Sequence, residues 1–167
     1  MTMWLAGMMG SGKTSCGAVA AANLGVPFYD TDLEVTAAFD CSVAELWERL
    51  GESGFRELES AVVVRLAGEE AIVATGGGVV LGSGNREVMT ATGPIVWLQA
   101  TPEELLERVG STPGRPLLDR SQDRLGELRS ISVERDVSYR EAADHVIETT
   151  GKSIAEVAEE IAALWAP

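Results

Sequence analysis

The residues best suited to chemistry begin at Gly7, in the run GMMGSGKTS behind the apolar Met3-Trp4-Leu5-Ala6. Gly7, Gly10 and Gly12 lack Cβ atoms, so the backbone can turn tightly and aim consecutive N–H groups at an anion. Lys13 supplies a point charge for β- and γ-phosphates, and Thr14 a hydroxyl for Mg²⁺. Helical residues follow, so the positive end of a helix would face the same anion. The bland alternative is a Gly-rich turn between a strand and a helix. Gly10, Ser11, Gly12, Lys13, Thr14 and Ser15 are therefore candidate nucleotide ligands.

A second group of residues could receive a phosphoryl group. Asp30 and Asp32 in FYDTDLE stand two apart at a strand end, where extended chain would project both to one side. They could divide metal-bound water and an acceptor hydroxyl between them, or Asp30 or Thr31 could simply cap the helix starting near Leu33. In GESGFRELES, Arg56 and Glu59 lie three apart, as either a surface pair or part of a site. Gly76-Gly77-Gly78 suits close backbone approach to something bound, or a flexible turn. That strand offers no Asp in the usual Walker B place, which leaves Asp30 and Asp32 as the metal-side acids. Arg115 in GSTPGRPLLDRSQD (110–123) could swing over transferring phosphate, and Arg135 follows on the next helix; a solvated arginine is the alternative for each. His145 opens an apolar strand and reads as structural.

These residues need a scaffold that brings them to one edge. Short apolar runs at 3–6, 26–29, 71–74, 95–98 and 145–148 alternate with helical patterns at 13–24, 31–39, 43–50, 54–67, 84–91, 102–109, 122–143 and 153–165. Such alternation predicts an α/β fold, a parallel sheet covered on both faces, with ligands at the carboxyl ends of its strands. The 167 residues suit one domain spanning 1–167. Composition is that of a soluble globular protein, 46% hydrophobic and 23% charged, with no apolar run long enough to span a bilayer and no leader pattern. Cys16 and Cys41 lack metal-ligand spacing and read as reduced thiols, which makes the cytoplasm the expected compartment. A net charge of −13 disfavours nucleic acid and anionic membrane as partners. It also requires any anion site to gather positive groups locally. Eleven of the thirteen basic residues are arginine, suited to bidentate contacts with carboxylate or phosphate.

Taken in order, GMMGSGKTS, YDTD, FRELE, ATGGG and RPLL resemble the motifs of shikimate kinase across nearly the whole chain. The resemblance implies a P-loop kinase of the nucleoside-monophosphate-kinase type, with a five-stranded parallel sheet of order 2-3-1-4-5. It also implies a mobile lid at about 110–123 and an acceptor-binding region at about 31–60. The implied reaction is transfer of the ATP γ-phosphate to the 3-hydroxyl of shikimate, with one Mg²⁺ per subunit, by a monomer. By that resemblance Asp32 would bind substrate hydroxyls and act as base, and Asp30 would hold the metal's water shell beside Thr14. Arg56 and Arg135 would clamp the substrate carboxylate, with Glu59 orienting Arg56 and with Gly77 and Gly78 donating from the backbone. Arg115 would approach the transferred phosphate and Arg108 the adenine, while Trp47, Phe55, Pro116 and Leu117 would wall the acceptor pocket. Other readings are a related kinase for another cyclitol acid, a sugar acid such as gluconate or a nucleoside monophosphate, or a non-catalytic nucleotide-binding module.

Overall fold

Strand β1 (Thr2–Ala6) lies at the centre of a five-stranded parallel sheet. The computed structural model describes residues 1–110, 116–119 and 121–165. The other strands are β2 (Phe28–Asp30), β3 (Ala71–Ala74), β4 (Ile95–Gln99) and β5 (His145–Glu148), in the order β2-β3-β1-β4-β5. Every residue of β1 and β3 is buried, as expected of parallel strands covered on both faces. Alternation sorts β1 between two cores: Met3 and Leu5 pack on one face, Trp4 and Ala6 on the other.

Helices α1 (Lys13–Leu24) and α8 (Ile154–Ala163) cover the Met3–Leu5 face through Ala20, Ala21, Val157 and Ile161. Small residues let α1 approach closely: a Cβ on Gly17 would stand 2.6 Å from Leu5 Cδ1 and 2.8 Å from Phe28 Cε2. The opposite face is covered by α3 (Val43–Leu66), α4 (Ser83–Thr92), α5 (Pro102–Val109) and α7 (Arg124–Ala142). A third, smaller cluster joins α2 (Thr31–Phe39) to α3 through Val35, Leu46 and Phe55.

Local chemistry starts these helices where the chain must turn. Capping boxes at Ser42–Glu45 and Ser153–Glu156 open α3 and α8, and Thr101 with Pro102 opens α5. The two helical patterns at 43–50 and 54–67 are the two segments of α3, separated by a kink at Gly51, where φ of 68° and ψ of 179° are not helical. Two short pieces escape the sequence pattern, a 3₁₀ turn at Val79–Leu81 and the four-residue α6 (Pro116–Asp119). His145 stands exposed at the start of the edge strand β5. No helix among the described residues is long and apolar enough to cross a membrane.

Candidate active site

The loop between β1 and α1 emerges at the carboxyl edge of the sheet, between β3 and β4. Gly10 and Gly12 adopt φ of 80° and 96°, which a side chain would strain. Gly12 caps α1 without any side-chain hydrogen bond, and the first turn of α1 contains no acid. The helix thus starts with its N–H groups uncapped by side chains and no negative charge beside them, the arrangement an anion needs. Lys13 folds back over this loop, donating from Nζ to the Gly7 carbonyl at 2.7 Å and the Met8 carbonyl at 2.9 Å. Its ammonium is thereby held above the N-terminus of its own helix. Ser11 is fully buried beneath the loop.

A cavity of about 430 Å³ opens over these residues. Gly10, Gly12, Lys13, Thr14, Ser15, Asp30 and Arg108 all line it. Arg108 lies pinned across the gap between α5 and the end of β5. Its Nη1 donates to Thr149 Oγ1 at 2.9 Å and its Nη2 to the Thr149 carbonyl at 2.7 Å, while Glu104 pairs with it at 2.9 Å. Thr149, Lys152, Ile154 and Val157 complete that end of the cavity. Sequence reading did not find these four, because a cavity wall made of backbone and mixed side chains carries no spacing signal. Cys16 also lines the cavity; burial pushes its thiol up in pKa against the opposing charge of Arg108, which keeps it neutral.

Thr14 and Asp30 meet at the edge of this cavity, the hydroxyl donating to Asp30 Oδ2 at 2.6 Å. The other oxygen of Asp30 caps α2, accepting from the N–H groups of Asp32 at 3.0 Å and Leu33 at 3.3 Å. Capping and a polar site therefore share one carboxylate, and the capper is Asp30 rather than Asp32. No cluster of three or more His, Cys, Asp or Glu suits a metal among the described residues. A hydroxyl beside one carboxylate fits a small hard cation that takes its remaining ligands from water and phosphate.

A second cavity of about 100 Å³ adjoins the first, and the two share Met9, Asp32 and Gly77. Its walls include Trp47, Phe55, Arg56, Glu59, Gly78, Leu117 and Arg135. The break at Gly51 lets α3 contribute from both sides, setting the Trp47 and Phe55 rings 5.4 Å apart. The Arg56 guanidinium sits 5.3 Å over Trp47 and forms an ion pair with Glu59. Glu59 is 1% exposed, and burial pushes its carboxyl up to about 7 against the pull of Arg56. Arg135 is 5% exposed, and its Nε has no hydrogen-bond partner among the described residues. A buried guanidinium N–H left unpaired is costly unless something arrives to accept from it.

The three glycines are explained by this crowding. A Cβ on Gly76 would overlap the Glu59 carboxylate and stand 2.8 Å from Asp32 Oδ1; one on Gly78 would overlap the Arg56 guanidinium. A Cβ on Gly77 would stand 3.3 Å from Arg135 Nη1. The arginine and carboxylate side chains occupy the space that β-carbons would need. Of the sequence-derived candidates only Arg115 lies outside the described residues, together with 111–114 and 120 of the 110–123 segment. The arrangement can hold a polyphosphate in the larger cavity and a small anion in the smaller one, with the Asp32 carboxylate between.

A family model described as shikimate kinase matches residues 9–165. Shikimate kinases of Symbiobacterium thermophilum and Cupriavidus pinatubonensis are 43% and 41% identical to the chain over 164 and 157 residues. These alignments cover 96% and 93% of the chain, and 94% and 81% of the two relatives. The solved structure of shikimate kinase from Acinetobacter baumannii in complex with shikimate matches with a TM-score of 0.91 at 35% identity. That match spans 96% of this chain and 89% of the other. With the similarity running from the phosphate loop to the last helix, the chain belongs to the shikimate kinase family.

Proposed function

We propose that the protein transfers the γ-phosphate of ATP to the 3-hydroxyl of shikimate, giving shikimate 3-phosphate and ADP, a step towards chorismate and the aromatic amino acids. The observation that carries this reading is the position of Asp32 where two cavities meet, one floored by the phosphate loop and the other walled by Arg56 and Arg135. ATP would lie with its phosphates over Gly10–Ser15 and its base towards Arg108 and Thr149. Lys13, already bonded to the loop, would hold the β- and γ-phosphates from one side. Arg56 and Arg135 would grip the acceptor carboxylate, with Glu59 fixing the plane of Arg56 and the Gly77 and Gly78 backbone adding donors. Asp32 would then face the hydroxyl, orienting it and accepting its proton. Arg115 would approach from the segment at about 110–123 to offset charge on the transferring group.

Thr14 and Asp30 would hold one Mg²⁺, Asp30 through water, and the ion would withdraw charge from the β- and γ-phosphates. Residues 31–60 would form the acceptor-binding region of a single kinase domain. The enzyme would act as a cytoplasmic monomer on small-molecule ligands, a compartment that suits its two free cysteines. Coupled ADP release with shikimate, gluconate and AMP as separate acceptors tests the proposal. Saturable turnover confined to shikimate is expected; turnover with gluconate or AMP alone would make the protein another small-molecule kinase, and none with any would make it a binding module.

A further inference from the structure

Arg135 and Tyr139 are four residues apart on α7 and therefore share a face of the helix. Tyr139 is 2% exposed. Its ring stacks on Trp97 of β4, with centroids 5.5 Å apart and planes at 15°. Its hydroxyl donates to the Gly77 carbonyl at 2.5 Å. A phenylalanine would fill the same space and keep the stack, so what the hydroxyl adds is its polar contacts: it donates to Gly77 and accepts from Arg135 on the same helix face.

The Gly77 carbonyl and the Gly78 N–H belong to one planar peptide unit, trans like every peptide unit among the described residues. Fixing the carbonyl therefore fixes the opposite direction of the Gly78 N–H. Rotation of that unit between two glycines meets little steric resistance, so an external lock matters here. The neighbouring groups are held elsewhere: the Gly76 N–H donates to Thr31 Oγ1 at 2.8 Å, and the Gly76 carbonyl accepts from the Val79 N–H at 3.1 Å. Neither bond controls the Gly77–Gly78 peptide.

We propose that Tyr139 is a positioning residue for the acceptor, its hydroxyl locking the Gly77–Gly78 peptide so that the Gly78 N–H is presented to the cavity that Arg135 also lines. This rests on the smaller cavity being the acceptor site. One helix face then sets both a side-chain and a backbone contact to the same ligand. The phenol, pushed up to about 12 by burial with Arg135, Arg56 and Glu59 as its charged neighbours, remains a hydrogen-bond donor throughout the neutral range.

Tyr139→Phe tests the proposal. The shikimate KM should rise roughly 3- to 10-fold, as losing one neutral hydrogen bond predicts, with the ATP KM changed less than about twofold. The ratio of variant to wild-type shikimate KM should stay flat across about pH 6–9, because the phenol does not titrate there. Amide exchange measured by NMR on the ligand-free protein should speed up at Gly78 and stay unchanged along β4. A lowered melting temperature with unchanged shikimate KM and Gly78 exchange would reduce Tyr139 to a structural bond and overturn the proposal. Wild-type protein that fails to use shikimate would instead overturn the acceptor reading, while Gly78 exchange still decides whether the peptide is locked.

Discussion

At the scale of single residues, Asp30 and Asp32 separate two tasks that the sequence left tangled. Both are short acids near a helix start, and either could have been the cap. Asp30 takes that role with one oxygen and meets Thr14 with the other, which leaves Asp32 in the first turn between the two cavities. Asp32→Asn should therefore change stability by no more than about 0.3–1 kcal/mol, the worth of a charge near a helix N-terminus. Turnover should fall about 10²-fold or more on the same substitution. Kinetics and urea unfolding on one preparation check this, and a stable variant with full turnover would remove Asp32 from the chemistry. Lys13→Met should abolish most turnover, because the lost charge would face the transferring phosphates in the proposed reaction; near-normal kcat would contradict the phosphate assignment. Arg56, read from its spacing alone, was better explained by a surface pair with Glu59. That pairing is real, but Glu59 is buried, a fact that three-residue spacing cannot reveal.

At the scale of elements, the strands and main helices were legible because the apolar period marked them, and side-chain caps at Asp30, Ser42, Thr101, Asp123 and Ser153 open five of the helices. The 3₁₀ turn at Val79–Leu81 was not, since three residues give no period; it is fixed by tertiary bonds such as Asn85 Nδ2 to the Val79 carbonyl at 3.0 Å. The kink at Gly51 was legible, because a glycine between two helical patterns reads as a terminator, and the backbone there is indeed non-helical. No atom stands within 4 Å of a Cβ placed on Gly51, so its requirement is conformational. Gly51→Ala should cost about 1–3 kcal/mol in urea unfolding through strain at positive φ. An unchanged midpoint and slope would mean the break can relax without cost. Gly78→Ala acts differently, since its Cβ would overlap the Arg56 guanidinium, a movable group. It should raise the shikimate KM by about 10-fold or more while shifting the melting temperature little.

At the scale of the whole molecule, a chain of net charge −13 gathers Lys13, Arg56, Arg108 and Arg135 around two adjoining cavities. The motifs supplied these residues in order, and the sheet topology brings them to one edge; the cavity wall at Thr149 and Lys152 came only with the fold. The same concentration has a consequence for stability. The folded state raises the Glu59 carboxyl from 4.5 to about 7, so it binds this proton more tightly than the unfolded chain does. That contribution is fully present below about pH 4.5 and is lost as pH rises through about 7, a change on the order of 3 kcal/mol. Glu59→Gln should flatten this part of the stability profile when unfolding is followed across that window; an unaltered slope would show that Glu59 stays ionised throughout. The central claim is that Arg56 and Arg135 hold a carboxylate while phosphate crosses to the acceptor. Its most direct test is a double cycle that pairs shikimate and its carboxamide with wild type, Arg56→Ala and Arg135→Ala. Charge-assisted bonds of ~1.5–3 kcal/mol predict roughly 10- to 100-fold discrimination for the acid by wild type in kcat/KM, much reduced in each variant. Equal phosphorylation of acid and amide by the wild-type protein would contradict the clamp and the acceptor assignment with it.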